Sequence, residues 1–112
     1  MANTTFTGPV ISQNGFIAGT GSATITKVLT ATATLNFPSI SAASQADLTI
    51  TVAGAATGDE VIMSLPASPA AGIVFNAFVS AANTVTIRAS NITALAVDPA
   101  AASYGVIVIN AA

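Results

Sequence analysis

Thr30-Ala31-Thr32-Ala33-Thr34-Leu35-Asn36-Phe37 decides how this chain folds. Threonine and asparagine alternate with Ala, Leu and Phe at a period of two, the repeat of a strand with one buried and one solvated face. Alanine alone would favour a helix. Here β-branched threonines sit between the alanines and lose χ1 freedom in a helix. The pattern recurs. Leu48, Ile50 and Val52 alternate with Asp47, Thr49 and Thr51, and Val85, Ile87 and Ala89 alternate with Thr84, Thr86 and Arg88. No apolar stripe at helical spacing survives it.

Three further segments are apolar on both faces. They are residues 61–65, residues 73–79 and residues 104–109. In residues 73–79, Ile73, Phe75, Ala77 and Val79 fall on one side and Val74 and Phe78 on the other. Each sheet of a small antiparallel domain turns one face to the core. The second apolar face therefore needs a cover, either another subunit or residues 1–21.

Turn signals punctuate these strands: Pro38-Ser39, Gly54 to Asp59, Pro66 to Gly72, Ala81-Ala82-Asn83, and Asp98-Pro99 to Ser103. Asn83 suits a left-handed turn position. Short strands so spaced predict a single all-β, antiparallel β-sandwich or jelly-roll-like domain over residues 22–112. Residues 1–21 read differently. Gly8-Pro9 and Asn14-Gly15 are turn signals, Gly19 and Gly21 suit a hinge, and Phe6, Val10, Ile11, Phe16 and Ile17 are spaced apolar anchors. Two readings stand: an extended N-terminal arm that binds a partner through those five residues, or an edge strand folded onto its own domain.

Composition narrows the chemistry. The 112 residues include 2 basic and 4 acidic side chains and no His, Cys or Trp. Charged residues are 5% of the chain, against roughly 25% in ordinary domains. A folded monomer of this mass exposes on the order of 5,600 Å², so six charges leave its surface poorly solvated. Zinc or iron centres of the usual kind and His-dependent nucleophiles are excluded. Asp59-Glu60 would point to opposite strand faces, and Asp59 and Asp98 sit in turn contexts, so no acid–base pair is expected. No calcium-loop or phosphate-loop spacing occurs. No catalytic residue, metal or cofactor is therefore expected. Lys27 and Arg88 are too few for nucleic acid. No apolar run approaches the roughly 20 residues of a spanning helix. No basic residue precedes Lys27, and the expectation is a soluble chain made in the cytoplasm.

Several motifs carry a resemblance. They are Phe6-Thr-Gly-Pro-Val-Ile-Ser-Gln-Asn-Gly-Phe16, Ala33-Thr-Leu-Asn-Phe-Pro-Ser-Ile40 and Leu48-Thr-Ile-Thr-Val-Ala-Gly-Ala55. Gly58-Asp59, Val79-Ser-Ala-Ala-Asn-Thr-Val-Thr-Ile-Arg88 and Asn91-Ile-Thr followed by Asp98-Pro99 complete the set. Together they span most of the chain, which resembles small virion structural proteins of tailed bacteriophages. The resemblance implies a non-enzymatic capsid decoration (cement) or head-fibre-like protein on the capsid exterior, with the major capsid protein as partner. It also implies a β-rich homo-oligomer, a trimer by preference. The alternative is a tail- or fibre-associated receptor- or glycan-binding module, which a groove holding Tyr104 would favour. The two-faced strands and the scarce cations nominate Val74, Phe78, Arg88, Tyr104, Val106 and Val108 for the oligomer interface.

Overall fold

A computed structural model describes residues 3–111 of the chain. Its elements are all strands: β1 (Phe16–Ile17), β2 (Thr24–Leu35), β3 (Gln45–Thr51), β4 (Glu60–Ser64), β5 (Ile73–Ala81), β6 (Thr84–Asn91) and β7 (Ala102–Ala111). A 4-stranded sheet in the order β1-β2-β7-β4 packs on a 3-stranded sheet in the order β3-β6-β5. Every neighbouring pair is antiparallel. The chain is an all-β sandwich.

The alternation read from the sequence places the core. Leu35, Ile50, Val79, Val85, Ile87, Ala89, Val106 and Val108 are buried between the sheets. Thr30, Thr32, Thr34, Thr49 and Thr51 face out. One end of the core is aromatic. Phe37 lies 5.8 Å from the Tyr104 ring and 6.0 Å from Phe75, both edge-on, and Phe75 is 5.6 Å from Tyr104. Such pairs add about 0.5–1.5 kcal/mol each beyond the area they bury.

Loops close the ends of the sandwich through polar side chains. The hairpin between β5 and β6 turns at Asn83, whose φ is 60°. Its Oδ1 accepts the Gly54 N–H at 2.8 Å, and its backbone bonds Val52 and Ala55. At the other end Asn91 is buried and saturated. Its Nδ2 donates to the carbonyls of Ile40 (2.9 Å) and Leu95 (2.8 Å), while its Oδ1 accepts from the Thr93 N–H and hydroxyl. Ile40 and Val97 exchange backbone bonds beside it.

The structure corrects two readings of individual residues. Tyr104, Val106 and Val108 are 2%, 2% and 0% exposed, so they belong to the domain's own core and not to an interface. Both faces of β7 are apolar, and the aromatic cluster draws the Tyr104 side inward. Ile107 and Ile109 occupy the outer face instead. Phe16 and Ile17 form β1, which pairs with Ile25 and Thr24 of the same chain. These two residues follow the edge-strand reading, and the division at residues 21 and 22 falls within the β1–β2 hairpin. Residues 3–15 form no strand.

Candidate assembly surfaces

The outer face of the 4-stranded sheet is a grid set by register. Val28, Ile109 and Glu60 lie in one row, Thr30, Ile107 and Ile62 in the next, and Thr32, Gly105 and Ser64 in a third. Val28, Ile62 and Ile107 are 62%, 56% and 40% exposed. Gly105 has no side chain in the middle of β7. The gap is a shallow depression of about 280 Å³ flanked by Thr30, Thr32, Ile62 and Ile107. One carboxylate, Glu60, borders an otherwise apolar and hydroxyl-lined surface.

The opposite outer face, on β3-β6-β5, carries Val74, Phe78 and Arg88 as the sequence reading places them. Val74 is half-exposed and Phe78 is at the margin of exposure. Arg88 stands between Asn76 and Asp47 in register. Its Nε and Nη2 donate to the two carboxylate oxygens of Asp47 at 2.9 and 3.0 Å. The guanidinium carbon lies 5.2 Å from the Phe78 ring centre. The hydrogen bonds from Arg88 hold the Asp47 carboxyl below its usual range, and the same pair raises the guanidinium. Arg88 is thus neutralised within its own chain, which leaves Phe78 and Val74 as the apolar part of this face.

The second ion pair joins Lys27 to Asp59 at 3.5 Å. Asp59 caps its turn by accepting the Ala56 N–H at 3.0 Å, and it accepts Asn110 Nδ2 at 2.6 Å. These contacts, Asn110 first, lower its pKa. Lys27 also donates to the Gly54 carbonyl. Sequence reasoning placed Asp59 in a turn but missed Lys27 as its partner, because the two meet only through tertiary contact. Asp47 and Arg88 both alternate with core residues of their strands, and the β3–β6 register sets them side by side.

The N-terminal segment exposes three large apolar side chains, one of them, Ile11, more than any other among the described residues. Phe6, Val10 and Ile11 are 68%, 62% and 88% exposed. Phe6, Val10 and Phe16 face Ile25 and Val28 across an open groove of about 510 Å³. Ile92 and Leu95 project from the loop that Asn91 organises. Sequence reading missed both, along with Val28, Ile62 and Ile107. The parity of Val28 with Thr30, Thr32 and Thr34 was the available signal.

Among the described residues, no three His, Cys, Asp or Glu side chains gather into a metal-binding group. Nor among the described residues is any helix long and apolar enough to cross a membrane. No protein-family profile matches the chain, and no characterised protein or solved structure shows significant similarity to it.

Proposed function

We propose that this chain is a non-enzymatic structural protein of a virion, a capsid decoration protein that self-associates and binds the lattice of a phage head. The virion assignment rests on the motif resemblance. The observation that carries the assembly role is the surface. It exposes 7161 Å², about 1,600 Å² more than a compact monomer of this mass, while a standard interface takes about 800 Å² per partner. Apolar side chains stand on both outer sheet faces and on the N-terminal segment. Four of the six charged side chains are engaged in two ion pairs within the chain. Large apolar patches mark interaction sites, and such a surface suits a neutral, apolar and hydroxyl-bearing partner.

The glycan-binding alternative loses its anchor, because Tyr104 lies in the core and offers no platform for a sugar. The test is sedimentation of the purified chain with capsid shells stripped of it. The expected result is binding at a fixed ratio to the major capsid protein. Ile62→Lys with Ile107→Lys should remain folded and stay in the supernatant. Wild-type chain that fails to sediment with the shells would overturn the reading.

A further inference from the structure

The longest strand of the sandwich has an open side. β2 pairs with β7 along nearly its whole length. On its other side β1 covers only Thr24 and Ile25. Among the described residues, no backbone hydrogen bond from another segment reaches residues 27–35 on that side. Alternate N–H and C=O groups there point into solvent, a template for another strand. Natural edges are blunted by charge, proline or bulges. Residues 28–35 contain no charge and no proline, and the bulge between Ile25 and Lys27 lies before this stretch. The β5 edge, by contrast, is bulged between Val79 and Ala81. Inward along the β2 edge stand Leu29, Ala31 and Ala33, with Ala46 on the adjacent edge of β3, all half-buried. Small side chains leave the seam between the sheets thinly covered here.

The segment that could cover it is present in every copy. Residues 4–12, when extended, match residues 27–35 in length, roughly 30 Å each. Phe6, Gly8 and Val10 then share one face and one hydrogen-bonding side, and Pro9 turns its missing N–H to the new outer edge, where proline is tolerated. The chain's own segment stands across an open groove from Ile25 and Val28 but pairs with its own β2 only through Phe16 and Ile17. It turns at residues 13–14, and Gly15 has φ +94° with its missing Cβ position 2.5 Å from the Ile25 carbonyl oxygen.

We propose that residues 4–12 of one copy add as a strand to residues 27–35 of β2 in a second copy, with Gly8 opposite Ala31 and with Phe6 and Val10 on either side of it, over Leu29, Ala33 and Ala46. Backbone bonds supply affinity and the two apolar side chains supply register. Repeated around a ring, the exchange closes an oligomer. The inference deepens the self-association in the functional reading, and its test needs no shell, so its failure and a failure to bind shells are separate results.

The full-length chain is measured by light scattering and hydrogen exchange, beside Phe6→Ser/Val10→Ser. A mass that is a multiple of 10.9 kDa is expected for the wild type, falling to one chain in the double variant. Outward-pointing amides of residues 27–35 should exchange at least about 100-fold faster in the variant. Because the chain has no cysteine, Gly8→Cys chains mixed with Ala31→Cys chains should form a mixed disulfide, located by mass spectrometry, and Ser64→Cys on β4 should not; a Cβ at Gly8 meets nothing within 4 Å. This pairing leaves Phe6 in place and decides the question even where the serine variant unfolds. A wild-type monomer, an oligomer indifferent to the serine changes, unchanged β2 protection, or bridging to Ser64→Cys in preference to Ala31→Cys would each overturn the proposal.

Discussion

Asp59 shows how few polar groups the fold needs and how heavily it uses them. Its carboxylate ties the Ala56 turn, Asn110 of β7 and Lys27 of β2 together. Its pKa is lowered in the folded chain, as is that of Asp47 beside Arg88. A depressed carboxyl binds its proton more readily in the unfolded chain. Its stabilising effect is therefore present above the unfolded value near 4 and is lost as pH falls through the folded value. Thermal unfolding should be nearly independent of pH from about 5 to 8, because the chain has no histidine or cysteine, and Tm should drop below pH 4. Asp59→Asn should lower Tm at neutral pH and flatten that acid limb. Asn91 is the second such residue. Asn91→Ala would leave the Ile40 and Leu95 carbonyls with only the Val97 N–H and the Thr93 hydroxyl and would strand the Thr93 N–H, at a cost of about 1–3 kcal/mol in urea unfolding. Its neighbour Ile92, exposed on the same loop, should tolerate alanine within about 0.5 kcal/mol.

At the scale of the element, β7 is the axis of the 4-stranded sheet, paired on both sides and apolar on both faces. A glycine in such a strand is weakening. Gly105→Ala would bring a Cβ to 3.3 Å from Thr32 Cγ2. Thr32 is exposed and can rotate away. The substitution should therefore stabilise the isolated domain by up to about 1 kcal/mol. It also fills the depression between Ile62 and Ile107, so weaker sedimentation with shells at unchanged or higher Tm is expected. β2 is the other decisive element. Its inner face is finished by the sandwich, and its free edge is not.

The whole molecule is drawn out, with a radius of gyration of 17.7 Å and extents of 58 × 28 × 24 Å. A compact domain of this length has a radius near 13 Å. The difference reflects the exposed N-terminal segment at one end of a narrow sandwich. Its core is small, so single large residues matter. Phe37→Ala should cost about 3–5 kcal/mol, a large part of the roughly 5–15 kcal/mol that holds a domain together. Denaturant midpoints would show it directly. Between chains the forces differ. With four charges paired internally, little Coulomb attraction remains to be screened. Self-association should shift by less than about threefold in Kd between about 50 and 500 mM salt, while a strong temperature dependence would mark buried apolar area.

The alternation of threonine with Ala, Val, Ile and Leu by itself determined that the chain is all-β. Its breakers located the hairpin at Asn83 and the turn at Asp59. Composition determined which catalytic and metal side chains are missing, because a residue that is not there needs no fold to exclude it. Parity also put Val74 and Phe78 on the outer face of β5, since Phe75 and Val79 on the other face belong to the core. On β7 parity was silent. Tyr104, Val106 and Val108 compete with Ile107 and Ile109, both sets apolar, and only packing of Tyr104 against Phe37 and Phe75 chose the first set for the core. The Lys27–Asp59 pair, the depression at Gly105 and the open edge of β2 likewise depend on which strands become neighbours. That choice is made by contacts distant in sequence, which a period of two does not encode.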